Sequence, residues 1–148
     1  MNENVSLYWI RQDLRLHDNP ALIESVKNGP IIPIYILDDV NSDDHKIGQA
    51  GRVWLHQSLK ELDKEFQNKL IFAKGNPEEI LVKICQLESI KKIYWNRVYE
   101  PWVISRDKKI KTNLKKLEIN TYSFNGSLLW EPWDILKDDK TNYKVFTP

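Results

Sequence analysis

The sequence predicts an α/β domain built on a five-stranded parallel sheet with helices on both faces. Short segments rich in β-branched and aromatic residues recur at regular intervals, and helical segments lie between them. Parallel strands need such crossover connections, and these are right-handed. The chain of 148 residues, 41% of them hydrophobic, has the size and apolar content of one packed domain. A Rossmann-like sheet in the flavodoxin-like strand order is therefore expected.

The predicted strands are residues 5–10, 31–37, 70–73, 92–96 and 120–124. The clearest helix between them is 53–68, because its apolar residues repeat at helical spacing and form one stripe that should face the sheet. That stripe consists of Leu55, Leu59, Leu62 and Phe66.

Two asparagine-proline pairs predict further helix starts. Asn19 precedes Pro20, and Asn76 precedes Pro77. Asparagine is a favoured N-cap, and proline is favoured at the first helical position. A last helix is predicted from an apolar stripe whose remaining positions are filled mainly by lysines, which we expect to be solvated. This stripe consists of Val103, Ile110, Leu114 and Leu117.

Composition excludes several classes of function. A formal net charge of +1 gives no global field that would draw the chain to nucleic acid. No apolar stretch approaches the roughly 20 residues of a membrane-spanning helix, so a cytoplasmic location without membrane contact is expected. His17, His45 and His56 lack metal-site spacing. Cys85 lies among aliphatic residues and is expected in the core rather than as a nucleophile.

The carboxyl ends of the predicted strands should form the ligand-binding edge, as on other open parallel sheets. The loops there are residues 11–19, 38–52, the segment after Gly75, and 97–107. The first of these contains no glycine, which excludes a dinucleotide fingerprint or P-loop. Arg11 and Arg15 could hold a phosphate through their side chains. Alternatively, they form an ion-pair network with Asp13 that stabilises the turn.

Five blocks of the sequence resemble the photolyase/cryptochrome family in order. They are WIRQDLRLHDNP at 9–20, GRVWLHQSL at 51–59, YWNRVYEP at 94–101 with Arg106-Asp107 after it, LLWEPW at 128–133, and YKVFTP at 143–148. The resemblance covers essentially the whole chain. It implies the family's amino-terminal α/β domain at residues 1–130 and the start of an interdomain connection at 131–148.

The resemblance also implies a function. Photolyases use blue light and reduced FAD to split ultraviolet-induced pyrimidine dimers in DNA, and cryptochromes reuse the scaffold for light signalling. The α/β domain of the family binds an auxiliary antenna chromophore, whereas the helical domain binds FAD and the lesion. No residue here corresponds to that helical domain. We therefore expect no catalytic residue in this chain, contact with damaged DNA only through a full protein, and continuation into the helical partner, in cis or as a separate chain.

The resemblance and the predicted sheet edge point to one set of chromophore-binding residues. Aromatic rings can stack on a planar ring, and charged side chains can hold its polar edge. The loops 39–47, with Asp43, Asp44 and His45, and 102–104 match no single chromophore type, so a reduced folate, a deazaflavin and FMN remain candidates. The expected binding residues are Trp9, Arg11, Asp38, Arg52, Asn96 and Glu100.

Other interpretations remain open from the sequence. Each of those residues could serve packing or capping, and Asn96 could simply hold its loop. The chain could be a chromophore-free structural or regulatory module, or the domain of a cryptochrome-type photoreceptor. An unrelated nucleotide-binding enzyme on the same sheet is disfavoured because no glycine-rich loop or paired-histidine signature is present.

Overall fold

The computed structural model describes residues 5–42 and 45–141. Nine elements alternate along this part of the chain. They are β1 Ser6–Ile10, α1 Pro20–Lys27, β2 Ile31–Leu37, α2 Gln49–Glu65, β3 Ile71–Lys74, α3 Pro77–Leu87, β4 Lys92–Asn96, α4 Pro101–Lys116 and β5 Asn120–Phe124. Asp43, Asp44 and the sequence block at 143–148 lie outside the described residues.

The five strands form one parallel sheet, which confirms the predicted fold class. The strand order is β3-β2-β1-β4-β5, which is the Rossmann order. The flavodoxin-like order expected from the sequence is wrong. Both orders have the same alternation of strands and helices along the chain, and they differ only in the side of β1 to which the third strand crosses. Here β3 extends the sheet beyond β2, and β4 occupies the other side of β1.

Strand β1 shows how the sheet separates two cores. Leu7 and Trp9 face a core completed by α3 and α4, whereas Tyr8 and Ile10 face a core completed by α1 and α2. Successive side chains of a strand point to opposite faces, so a central strand covered on both faces is apolar throughout. Cys85 lies in the first core, as predicted.

The capping residues predict where helices begin more accurately than the apolar stripe does. Asn19 Oδ1 accepts a hydrogen bond from the Leu22 amide, and Asn76 Oδ1 accepts one from the Glu78 amide, which confirms both N-caps. Helix α2 begins at Gln49 and ends at Glu65 instead of spanning 53–68. Its first turn is polar, so the spacing of apolar residues does not predict that this turn is helical. Its end is set by Gln67 and Asn68, whose φ angles are positive.

Two smaller differences concern strand β3 and the stripe of α4. Strand β3 begins one residue later than predicted and lies at an edge of the sheet, where Ile71 and Phe72 are exposed. In α4, Val103, Ile110 and Leu114 are buried as expected. Leu117 follows the last turn of that helix as its C-cap and is exposed, so it is not part of the stripe.

Asn96, the last residue of β4, connects that strand to the loop after β1. Its Nδ2 donates to Asp13 Oδ2 at 2.6 Å and to Asn19 Oδ1 at 2.7 Å, and its Oδ1 accepts from the Ala21 amide at 3.2 Å. The side chain is buried and satisfied by these bonds. These bonds fix the carboxyl end of β4 relative to the loop that follows its neighbour β1.

Gly126 is expected to be required beside Asn96. A Cβ atom at residue 126 would lie 2.6–2.9 Å from three side-chain atoms of Asn96, which is held by its hydrogen bonds and cannot withdraw. We expect Gly126→Ala to lower the free energy of unfolding by about 1–3 kcal/mol. Gly48→Ala is the matched control, since nothing lies within 4 Å of its Cβ position. Equal denaturation midpoints for the two variants would contradict the steric argument.

Candidate functional site

A cavity of about 250 Å³ opens at the carboxyl ends of β1, β2 and β4. Four of the six residues selected from the sequence line it, namely Trp9, Arg11, Asp38 and Glu100. Four further polar or aromatic residues also line it, namely Ser42, His45, Trp102 and Arg106. The cavity therefore lies where an open parallel sheet of this order is expected to bind a ligand.

Three residues that line this cavity, Arg11, Asp38 and Arg106, join Asp107 in a chain of four alternating charges, here called the floor. Arg11 Nη1 lies 2.5 Å from Asp107 Oδ2, Arg106 Nη2 lies 3.0 Å from Asp107 Oδ1, and Arg106 Nη1 lies 2.7 Å from Asp38 Oδ2. All four side chains are buried or nearly so. Burial lowers the pKa of Arg11 from its usual value, while the neighbouring Asp107 opposes that shift. Two arginines and two aspartates neutralise one another, so the floor carries no net charge.

The guanidinium groups of Arg11 and Arg106 also lie over the ring of Trp9. The Cζ of Arg11 lies 4.6 Å from the Trp9 ring centroid, and that of Arg106 lies 5.3 Å away. Arg106 is also 5.2 Å from the ring centroid of Trp102. These are cation–π distances. Trp9 is almost completely buried, so it contributes to the floor and presents little ring surface to a ligand.

Two residues of the cavity lining each carry a buried polar atom that is unsatisfied among the described residues. Trp102 Nε1 and Ser42 Oγ have no hydrogen-bond partner. Leaving such groups unpaired costs about 1–3 kcal/mol each, and unpaired groups are uncommon in folded proteins. The ring of His45 lies parallel to that of Trp102, with 6.3 Å between the centroids. This corner of the cavity thus has an aromatic wall, and two of its lining residues have buried polar atoms without a partner.

Arg52 lies apart from the other predicted residues. It lines a groove of about 550 Å³ between α2 and the edge strand β3, and it does not line the cavity described above. Its Nη2 lies 2.8 Å from Asp39 Oδ1, and Lys74 Nζ lies 3.6 Å from Asp39 Oδ2. The hydrogen bond from Arg52 lowers the pKa of the Asp39 carboxyl. Arg52 therefore holds the loop after β2 against α2.

Asn96 is also absent from the lining of the first cavity. It borders a second cavity of about 450 Å³, on the other side of the loops that follow β1 and β4. Because its amide is fully used in the contacts to Asp13, Asn19 and Ala21, the structural interpretation of Asn96 is the one the geometry supports. Glu100 borders both cavities, and its Oε1 accepts a hydrogen bond from Gln12 Nε2 at 3.1 Å.

The segment after β5 is fastened to the loop after β4 through Glu131. Arg97 Nε lies 2.6 Å from Glu131 Oε1, Arg97 Nη2 lies 2.8 Å from Oε2, and the Tyr99 hydroxyl donates to Oε1 at 2.5 Å. Arg97 Nη1 also donates to the carbonyl of Ser123. Burial alone would raise the pKa of Glu131, but the bonds from Arg97 and Tyr99 outweigh it and lower that pKa.

Two other kinds of site find no support in the described part of the chain. No group of three or more histidine, cysteine, aspartate or glutamate side chains is placed to hold a metal ion there. None of the helices in residues 5–42 and 45–141 has the length and apolar composition that a membrane-spanning helix requires.

The family model described as DNA photolyase matches residues 6–148. Over 146 residues the chain is 35% identical to a deoxyribodipyrimidine photo-lyase of Agrobacterium fabrum, covering 96% of this chain and 30% of that protein. Over 145 residues it is 30% identical to cryptochrome-1 of Arabidopsis thaliana, covering 95% of this chain and 21% of that protein. The chain thus spans less than a third of the length of these relatives.

Solved structures agree with the sequence comparison. The crystal structure of a class III photolyase from Agrobacterium tumefaciens superposes with a TM-score of 0.89 at 33% identity, covering 99% of this chain and 31% of that one. An archaeal photolyase from Sulfolobus tokodaii superposes with a TM-score of 0.72 at 26% identity, covering 82% of this chain and 29% of that one. The archaeal protein is described with two FAD molecules and the implication of a novel light-harvesting cofactor.

Asp107 is expected to contribute more to stability than any surface carboxylate. Asp107→Ala leaves Arg11 buried without its partner, so we expect the free energy of unfolding to fall by about 3–5 kcal/mol. Asp39→Ala is the control, because its partners Arg52 and Lys74 lie at the surface and such pairs contribute about 0–1 kcal/mol. Chemical denaturation of the two variants measures the difference. Similar losses would show that the floor does not depend on charge pairing.

Glu131 should make stability depend on acid pH. A carboxyl whose folded-state pKa is lowered contributes stability above its unfolded pKa of about 4.3, and that contribution is lost as the pH falls through the folded value. We expect Glu131→Gln to lower the free energy of unfolding at neutral pH by about 1–3 kcal/mol, and the difference from the parent chain to shrink in acid. Denaturation at several pH values tests this, with Glu65→Gln as the exposed control. A difference that does not change with pH would contradict the assignment.

Proposed function

The chain belongs to the DNA photolyase family, and from this membership we propose that it is the light-harvesting domain of a DNA photolyase. In this proposal the cavity at the carboxyl ends of β1, β2 and β4 holds an antenna chromophore. The higher identity to a photolyase than to a cryptochrome, over nearly the same span, supports repair of pyrimidine dimers over light signalling as the role of the whole protein.

The observation that carries the proposal is the pair of unsatisfied polar atoms on residues that line the cavity. Trp102 Nε1 can only donate a hydrogen bond, so it suits a carbonyl or ring nitrogen at the edge of a heteroaromatic ring. Ser42 Oγ can donate or accept. A planar chromophore with polar edges supplies partners for both atoms, and its face can pack on the parallel rings of His45 and Trp102.

The neutral floor limits what the cavity can bind. The guanidinium groups of Arg11 and Arg106 are already paired with Asp107 and Asp38, so neither is free to attract a separate anion. We therefore propose that Arg11 and Asp38 position the floor, that Trp9 supports it from below, and that Trp102 and Ser42 make the polar contacts. Glu100 also lines the cavity. The bound chromophore would supply absorption of light and transfer of the excitation energy to a flavin elsewhere in the protein.

Catalysis is proposed to require a further domain. The chain corresponds to about 30% of the photolyase relative, and the helical FAD-binding domain of the family is the expected partner, in cis or as a separate chain. Exposed apolar residues after β5 support a partner surface, since patches of this kind often mark interaction sites. Those residues are Leu129, Trp130, Trp133 and Ile135. FAD and damaged DNA are accordingly assigned to the partner domain.

The proposal predicts ligand binding that depends on Trp102. We expect a reduced folate, a deazaflavin or FMN to bind saturably, as measured by absorbance and fluorescence titration of the purified chain. Trp102→Phe keeps an aromatic ring but removes Nε1, and the ligand acceptor left unpaired should weaken binding about tenfold or more. Trp130→Phe is the matched control, because Trp130 is exposed and lies outside the cavity.

Arg52→Ala separates the cavity from the groove beside α2. If the chromophore occupies the cavity, Arg52→Ala leaves the affinity nearly unchanged while Trp102→Phe lowers it. If Arg52→Ala lowers the affinity and Trp102→Phe does not, the ligand site is the groove lined by Arg52. Absence of binding by every chromophore would overturn the light-harvesting role and favour a structural module.

A further inference from the structure

Strand β3 is a free edge of the sheet, and the structure shows which of its backbone groups point outward. The Gly75 amide donates to the Leu37 carbonyl of β2 at 3.1 Å. Backbone groups along a strand point alternately to its two sides, so the amides and carbonyls of Phe72 and Lys74 point away from β2. Within the described residues, no strand pairs with β3 on that side. These backbone groups are therefore available to a strand from another chain.

A groove with apolar lining residues lies directly beside this edge. Its volume of about 550 Å³ lies within the roughly 300–1,000 Å³ typical of ligand pockets. Phe72 lines it from β3 and is 52% exposed. Apolar or aromatic residues of β2, α2 and β3 also line it, namely Tyr35, Leu37, Leu55, Leu59 and Ala73. A free strand edge beside side-chain pockets is the arrangement that binds extended peptides by strand addition.

The register of β3 relates the free edge to the groove. Phe72 pairs with Tyr35, and Lys74 pairs with Leu37. All four residues line the groove, so every second side chain of an added strand would lie on the groove side of the sheet. The side chain beside Phe72 would have apolar surroundings, and the one beside Lys74 would lie near an ammonium group. An α-helix fits less well, since its backbone groups are already paired within the helix.

The charges around this edge favour an acidic partner. Asp39 is already paired with Arg52 and Lys74. Asp63 accepts a hydrogen bond from the Leu70 amide at 3.0 Å. Basic side chains outnumber these two carboxylates at the edge and in the groove. They are Arg52, Lys60, Lys69 and Lys74. Electrostatic complementarity therefore requires negative charge on the segment that binds here.

A second copy of the chain is a poor occupant of this edge. Pairing of two β3 strands would bring Lys69 and Lys74 of one chain near the same lysines of the other. Like charges directly opposite one another on neighbouring strands are destabilising, whereas opposite charges are stabilising. A segment with carboxylates at the corresponding positions would form pairs of the favourable kind. The edge therefore discriminates between copies of this chain and an acidic partner.

We propose that the free edge of β3 and the groove beside it, together called the β3 groove, form a docking surface for a partner protein. The partner contributes an extended segment with apolar side chains at its centre and acidic side chains on both flanks. The backbone of this segment pairs with Phe72 and Lys74 and extends the sheet by one strand. Its apolar side chains enter the groove, and its carboxylates lie beside Lys60, Lys69 and Lys74. The docking surface does not depend on a bound chromophore.

The test compares two peptides of about seven residues, which is an ordinary strand length. Both peptides have valines at the centre, and they carry either glutamates or lysines on both flanks. We expect the glutamate peptide to bind the full chain at least about tenfold more tightly than the lysine peptide. Its affinity should fall as the salt concentration rises, because salt screens exposed charges. Fluorescence anisotropy of the labelled peptides measures both affinities.

Amide hydrogen exchange locates the bound peptide. Saturation with the glutamate peptide should slow exchange at the amides of Phe72 and Lys74 by about tenfold or more, because these amides become paired. The Ala73 amide is the internal control. It points toward β2 like that of Gly75, so its exchange should change little.

Two pairs of variants separate the backbone contribution from the charge contribution. Phe72→Pro removes one outward amide, which an edge strand tolerates, and Phe72→Val keeps that amide. We expect the proline variant to bind the glutamate peptide about fivefold or more weakly than the valine variant. Lys60→Glu should weaken binding about three- to tenfold. Lys116→Glu is its matched control, because Lys116 is exposed on α4 and does not line the groove.

Each outcome supports or overturns a stated part of the proposal. Equal affinities for the two peptides would overturn the acidic character of the partner. Peptide binding without protection of Phe72 and Lys74, or equal affinities of Phe72→Pro and Phe72→Val, would overturn strand addition. Protection of those amides without peptide, together with dimers in sedimentation, would assign the edge to a second copy of the chain. Failure of both peptides to bind would overturn the docking surface.

Discussion

The buried chain of charges Arg11–Asp107–Arg106–Asp38 is the constraint on which the carboxyl edge of the sheet depends. It links the end of β1, helix α4 and the end of β2, and removal of either inner member, Asp107 or Arg106, leaves a buried charge without its ion-pair partner. The loops over the sheet are thereby held at fixed positions. The result is a cavity with a neutral, rigid floor. The choice of ligand therefore depends on the other lining residues, such as Trp102 and Ser42.

Much of the fold follows from the sequence because local patterns specify it. Apolar strand segments, asparagine N-caps at Asn19 and Asn76, and the buried stripe of α4 all correspond to elements of the structure. Strand order is different, since it depends on whether β3 crosses back over β1 or continues beyond β2, and both choices use the same local pattern. Likewise, the first turn of α2 is polar, and only its hydrogen bonds reveal it.

The sequence predicts the location of the candidate site but only some of the residues that form it. Residues in the loops that follow strands, such as Arg11, Asp38 and Glu100, meet at the carboxyl edge because parallel strands end there together. Arg52 is separated because a helix start after a long loop can face either side of the sheet edge. Asp107 is the seventh residue of α4, where a carboxylate on an otherwise apolar stripe was the available signal. The unsatisfied state of Ser42 and Trp102 depends on tertiary packing and has no sequence signature.

Strand β3 also bears on how the chain behaves at high concentration. An edge strand offers unpaired backbone groups to other chains, and here the edge carries exposed Ile71 and Phe72. The strand is short, however, and it ends in Lys74, with Lys69 just before it. A short edge flanked by lysines resists the addition of a further strand, because like charges would then be brought side by side. Neutralising these two lysines would accordingly turn the free edge into an aggregation hazard.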